Sequence, residues 1–164
     1  MSKAFPQRKH PRLKEYDYST AGGYFVTICT RDRACLLASI VGRGLAPAEM
    51  KLTECGEIAE RELLGLTERY SGLVVAEYVV MPNHIHILFR LENLSAGASP
   101  RPTLPEIVCA YKSLVTRKCG RGKIFQTSFY EHIIRNERDY EEIQRYIIEN
   151  PLRWEEDVLY MKCK

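Results

Sequence analysis

The sequence predicts an α+β domain built on a mostly antiparallel sheet flanked by helices, and three observations carry that class. Runs of β-branched and aromatic residues stand at 24–30, 73–80 and 84–91. Runs with helical apolar spacing stand at 53–66, 103–119 and 137–150. The two kinds are interleaved without the regular strand-helix-strand repeat of a parallel sheet. A chain of 164 residues with 45% hydrophobic content suits one domain, 1–164, with a real core.

In chain order, residues 1–20 read as an extended arm. Pro6 and Pro11 discourage helix, Arg8, Lys9, Arg12 and Lys14 make it basic, and Tyr16-Asp17-Tyr18-Ser19 leads to a turn at Ala21-Gly22-Gly23. The arm is not signal-like, and no apolar run approaches the roughly 18 residues of a membrane span, so a cytoplasmic protein without membrane contact is expected. Tyr24 to Thr30, rich in β-branched and aromatic residues, is the first strand. Residues 31–52 hold a short apolar piece, Leu36 to Val41, and then a loop, Gly42 to Pro47.

From Thr53 to about Leu66 the positions Ile58, Ala59, Leu63 and Leu66 predict a helix against the sheet. Leu73 to Val80 and His84 to Leu91 read as strands joined by a Pro82-Asn83 turn, a hairpin with histidines just beyond its tip. Residues 92–102 are small and polar, a flexible loop. Thr103-Leu104-Pro105-Glu106 has capping-box spacing, and Ile107, Val108, Tyr111, Leu114 and Val115 continue a helix that Gly120 stops. Ile124 to Ile134 reads as a final strand or extended segment. The last helix runs from about Glu137 to Asn150; Asn136 is its N-cap, and Pro151 disfavours helical geometry at the residue before it.

The six cysteines are scattered without a Cys-x-x-Cys pair, which predicts free thiols rather than a disulfide framework or zinc ribbon. A net charge of +3 does not by itself indicate nucleic acid. Its distribution says more: the basic arm has a counterpart in Lys112, Arg117, Lys118, Arg121 and Lys123, and either cluster could follow a phosphate backbone or be ordinary solvated surface.

The candidate chemistry centres on His84-Ile85-His86. Side chains alternate along a strand, so the two imidazoles project from one side, close enough to hold one divalent ion, while Ile85, Ile87 and Phe89 face a core. Two such histidines can also merely hydrogen-bond. On the last helix, Tyr146 and Asn150 are four residues apart and share a face, beside a core stripe of Tyr140, Ile143 and Ile147. If that face turns toward the histidines, a metal gains an amide oxygen and a phenol lies beside it. Tyr130 and Tyr140 are alternative nucleophiles. A histidine-triad hydrolase is disfavoured because Leu88 stands where a third alternating histidine belongs.

With these residues in hand, the chain resembles the REP-associated tyrosine transposases of the single-tyrosine HUH endonuclease and transposase superfamily, from about Arg12 to Trp154. The carriers are Tyr16-Asp17-Tyr18, Gly23-Tyr24-Phe25-Val26-Thr27, Tyr78 through His86, Phe129 through Asn136, and Tyr146 through Pro151. The resemblance implies a ferredoxin-like sheet, a magnesium or manganese ion on His84 and His86, and cleavage of single-stranded or hairpin DNA. It places the nucleophile at Tyr146 and a further metal ligand at Asn150, where related families carry glutamine. Ligand preference alone favours zinc for such a donor set. A phenol, with a pKa near ~10, needs a base or positive charge to attack phosphorus. Arg12, Arg31, Arg33, Lys112, Arg117, Lys118, Arg121 and Lys123 are the candidate DNA contacts, with Tyr130 and His132 in support. A monomer or homodimer is expected. The rival reading is a domesticated relative that holds hairpin DNA or RNA without cutting it.

Overall fold

The computed structural model describes residues 15–41 and 49–163. Most of the basic arm, Arg12 included, and the Gly42–Pro47 loop lie outside the described residues. Four strands, β1 (Gly22–Cys29), β4 (Leu73–Val80), β5 (His84–Leu91) and β6 (Tyr130–Ile133), form one sheet in the order β4-β5-β1-β6. Every neighbouring pair is antiparallel. β2 (Ala38–Val41) and β3 (Glu49–Leu52) make a separate two-stranded ribbon. The helices are α1 (Glu54–Leu64), the single turn α2 (Leu66–Arg69), α3 (Leu104–Cys119) and α4 (Glu137–Glu149).

This order is the ferredoxin-like arrangement. The connections from β1 to β4 and from β5 to β6 carry α1 and α3, and both helices lie on one face of the sheet. There Tyr24, Val26 and Ile28 of β1 and Ile85, Ile87 and Phe89 of β5 pack against Ala59 and Leu63 of α1 and Ile107, Val108, Tyr111 and Val115 of α3. The period of two along each strand turns the intervening residues to the opposite face. That face carries Phe25 and Leu88, covered by Ile143 and Ile147 of α4. It is also where His84 and His86 emerge.

Local chemistry fixes the helix starts. Thr53 accepts from the Gly56 amide at 3.1 Å and opens α1. A Cβ on Gly56 would lie 1.9 Å from the Leu37 carbonyl oxygen, so the helix can approach that backbone only with glycine there. Thr103 and Glu106 form the capping box at α3, with the Thr103 amide 2.7 Å from the Glu106 carboxylate. Gly120 ends α3 in the left-handed region at φ 65°, which glycine adopts without penalty. Asn136 caps α4 by accepting from the Asp139 amide at 2.9 Å.

Four expectations change. The apolar piece at 36–41 becomes strand only from Ala38, because it has β3 as a partner. Of the segment 124–134, only Tyr130–Ile133 joins the sheet, alongside an isolated pairing of Phe125 with Thr30. Asn150 keeps helical angles despite Pro151, and the chain continues as a 3-10 turn, Asn150–Glu156, that seats the buried Trp154. The proline sits in the first turn of that helix, where its missing amide leaves no bond unmade. Finally, Cys35 and Cys163 form a disulfide across a sequence separation of 128, pairing two thiols that sequence spacing kept apart. Cys29, Cys55, Cys109 and Cys119 are free. No helix among the described residues is long and apolar enough to cross a membrane.

Candidate active site

The antiparallel register sets Thr27 opposite His86 and Cys29 opposite His84. Each imidazole is then held by its Nδ1. His86 Nδ1 lies 2.8 Å from the Thr27 hydroxyl, and His84 Nδ1 lies 2.8 Å from Asn83 Oδ1. A carbonyl oxygen only accepts, so His84 Nδ1 carries the proton and its Nε2 presents a lone pair. Asn83 is fixed in turn by donating its Nδ2 to the Leu159 carbonyl at 2.9 Å. The ring centroids of the pair are 4.4 Å apart. The histidines therefore occupy the first and third positions of β5, inside the sheet, with both Nε2 atoms turned toward one gap.

The far wall of the gap is α4 and the segment after it. The Tyr146 hydroxyl lies 3.4 Å from His86 Nε2 and donates to Asp157 Oδ2 at 3.2 Å. Asn150 donates Nδ2 to the same carboxylate oxygen at 2.7 Å. His84, His86 and Asp157 each offer one ligand atom, all within 4.8 Å of one another. Two buried atoms at the gap have no hydrogen-bond partner, His84 Nε2 and Asn150 Oδ1. That donor set, two imidazole nitrogens, a carboxylate and an unpartnered amide oxygen, fits a divalent cation. The orienting bonds on both Nδ1 atoms have the pattern found behind metal-ligating histidines.

Burial, followed by the charge of His86, holds the pKa of His84 well below the ordinary imidazole value, and burial lowers His86 despite the neighbouring Asp157. Both rings are thus neutral at pH 7, as ligands must be. For Asp157, burial pushes upward, but the nearby imidazoles of His86 and His84, the Leu159 amide and Asn150 outweigh it and hold the carboxyl below its usual range. Burial and then the Asp157 charge raise Tyr146, so its phenol stays protonated.

Asp157 is the residue that sequence reading missed. It closes the acidic run Glu155-Glu156-Asp157, which lies beyond Pro151 and outside the helix that carries Tyr146, so helical periodicity gave no reason to place it beside the phenol. It reaches the site because the chain after Trp154 folds back, with the Leu159 amide bonded to Asp157 Oδ1 at 2.6 Å.

The other expected residues are spread more widely. Arg31 and Arg33 lie in the 3-10 turn Arg31–Arg33 that follows β1 at the His84 end of the sheet, and Arg33 is close enough for its charge to act on His84. Lys112 departs from the expected exposed cluster: it is buried, and its ammonium donates to the Thr127 and Ser128 carbonyls at 2.9 and 3.3 Å. Arg117 and Lys118 close α3, on the sheet face away from the histidines, and Lys118 pairs with Glu62 of α1. Arg121 pairs with Glu54 at 3.4 Å, and Lys123 reaches the Thr127 hydroxyl at 2.9 Å. Tyr130 stands opposite Thr27 on β6, and His132 bonds to Asp139 of α4 at 2.8 Å.

No protein-family model matches the chain. An uncharacterized protein of Haemophilus influenzae is 30% identical over 173 aligned positions, spanning 94% of this chain and 93% of the relative. The REP-associated tyrosine transposase of Escherichia coli is 29% identical over 136 positions, spanning 83% of this chain and 70% of the relative. A solved structure of a REP-associated tyrosine transposase bound to a REP hairpin shares the fold, with a TM-score of 0.64 at 24% identity over 87% of this chain and 73% of that one.

Proposed function

We propose that the chain, which is similar to a REP-associated tyrosine transposase, is a metal-dependent endonuclease and strand transferase for single-stranded hairpin or repeat DNA, with Tyr146 as nucleophile. The observation that carries the reading is the Tyr146 hydroxyl 3.4 Å from His86 Nε2 across the gap between α4 and β5. Two histidines and a tyrosine from elements 60 residues apart converge there on one volume.

The chemistry follows from the neighbours. Asp157 Oδ2 accepts from the phenol at 3.2 Å and orients it, but a carboxyl held below its usual range is a weak base for a phenol whose pKa is raised, so release of the proton needs positive charge beside the oxygen. The Tyr146 oxygen bonds to phosphorus, the bond from phosphorus to the 3′ oxygen breaks, and that oxygen leaves with a proton as a 3′-hydroxyl. The product is a 5′-phosphotyrosine. A second 3′-hydroxyl attacking it rejoins DNA and restores the phenol, without ATP, because the ester keeps the energy of the broken bond. A magnesium or manganese ion held by His84 and His86, with Asp157 or the Asn150 amide oxygen, supplies charge at the phosphoryl oxygens. Thr27 and Asn83 act through the imidazoles, keeping both rings aimed.

The test is a denaturing gel of the protein with manganese and single-stranded hairpin oligonucleotides copied from repeats beside its gene. A metal-dependent covalent band is expected, lost in Tyr146→Phe. A band that survives the substitution moves the nucleophile to Tyr130 or Tyr140. Tight hairpin binding with no band on any oligonucleotide favours the non-catalytic reading.

A further inference from the structure

The donor set in the gap is completed from the tail of the chain. Residues 157–163 belong to no helix or strand, and they begin with the carboxylate that meets His84 and His86. Beyond the bonds of Asp157 itself, the tail's hold on the domain is local. Leu159 is buried, its carbonyl accepts from Asn83 Nδ2 at 2.9 Å, and the Tyr160 ring centroid lies 5.2 Å from that of Trp154. Val158, Met161, Lys162 and Cys163 are exposed. A terminal segment held by so little burial opens at low cost, and Asp157 leaves the imidazoles when it does.

The disulfide changes that balance. Cys163, six positions after Asp157, is bonded to Cys35. Cys35 belongs to the scaffold rather than to the tail. Two residues on from it, the buried Leu37 donates its amide to the Pro82 carbonyl at 3.0 Å, next to the Asn83 that aims His84. The tie therefore pins the far end of the tail to the same turn that sets the histidines. It is also within reach of solutes, since Cys163 is exposed and Cys35 half-buried. Where thiols are kept reduced, as they are around chromosomal DNA, disulfides are usually transient and report redox state rather than serve as permanent braces.

We propose that Cys35 and Cys163 form a redox modification site that sets the affinity of the gap for its cation; the proposal rests on reading His84, His86 and Asp157 as a cation site. In the oxidised chain the tail is tied and Asp157 stays among the imidazoles. A dithiol reductant releases it. One of its thiols, as the thiolate, attacks Cys163 Sγ, the bond to Cys35 Sγ breaks, and Cys35 leaves as a thiolate. The second thiol of the reductant attacks its own sulfur in the mixed disulfide, Cys163 leaves, and the reductant departs as a cyclic disulfide. Each leaving thiolate takes up the proton that the attacking thiol gave up, and two electrons pass from reductant to protein. In the reduced chain the tail samples open positions, so the arrangement that binds the ion is only partly populated and the apparent affinity falls by that fraction.

The experiment uses the full chain without DNA, so that cleavage plays no part. Manganese is titrated calorimetrically into the oxidised chain and into chain reduced with a dithiol and desalted without air, the state of the Cys35–Cys163 bond being read by mass after alkylation. Reduction is expected to weaken manganese binding about ten-fold. Cys163→Ser, at an exposed position, should bind like the reduced chain whether or not reductant is added. Asp157→Asn should bind nearly equally in both states, because its tail has no charge to deliver. A difference that survives undiminished in Asp157→Asn overturns the proposal, since a general loosening of the fold would produce it. Equal affinity in the two states of the unsubstituted chain, or no Cys35–Cys163 bond after oxidation, overturns the switch and leaves the cation site standing. No manganese bound in either state overturns both.

Discussion

The two faces of the central sheet carry alternate residues of the same strands and behave as different materials. Toward α1 and α3, β5 presents Ile85, Ile87 and Phe89, all essentially without exposure, in a cluster that extends across both helices. Toward α4 it presents His84, His86 and Leu88, equally buried, but only Leu88 joins an apolar cluster, and that cluster is small. One face supplies stability through area removed from water. The other holds neutral imidazoles, a carboxylate and two unpartnered polar atoms, an arrangement that costs stability until a cation satisfies it. The contrast teaches that stability and chemistry are separated here by a single residue step along a strand.

The comparison can be broken most strongly on the apolar face. Ile87→Ala should destabilise the protein by about 2–5 kcal/mol in chemical denaturation, because it opens a cavity in a close-packed layer. The loss should be the same with and without manganese; a metal-dependent loss would mean the faces are coupled.

On the polar face the dependence should reverse. Manganese at about 100 times its dissociation constant should stabilise the unsubstituted chain by about 2.7 kcal/mol, since the ion binds only the folded gap. His84→Ala should abolish that increment. An increment that persists in His84→Ala would place the ion elsewhere.

A finer comparison separates the two candidate ligands that complete the histidine pair. Asp157→Asn keeps the shape and removes the charge, and should weaken manganese binding about 10- to 100-fold by calorimetry. Asn150→Ala should weaken it less, because its Nδ2 holds Asp157 while its Oδ1 is a neutral, unpartnered oxygen. The opposite ranking would make the amide oxygen the principal ligand.

The smallest effect is the response to pH. Both imidazoles have folded pKa values below the ordinary one of about 6.5, so between those limits the unfolded chain binds more protons than the folded one. Metal-free stability should be complete above about pH 6.5 and fall as acid is added, by at most about 1.4 kcal/mol per pH unit for each histidine. Asp157, also lowered, adds a further loss only below its own ordinary carboxyl range. His84→Ala should flatten the slope between pH 7 and 5, and an unchanged slope would show that the pair is not buried neutral.

Much of this was legible from the chain alone, and the reason is locality. A strand's period of two put His84 and His86 on one side before any partner was known, a helix's period placed Tyr146 and Asn150 one turn apart, and the Thr103–Glu106 box and the Asn136 cap are interactions within four residues. Hydrophobic runs named the three long strands and the three long helices, and their interleaving gave the class. Tertiary structure decided what depends on contacts far apart in sequence. Lys112 looked like surface charge until the 127–128 backbone folded over it. Cys35 found Cys163, and Asp157 reached His86 only because the chain turns back after Trp154. Periodicity reports which side of an element a residue occupies; which distant group meets it there is a property of packing, and the charge state of the site follows from that meeting.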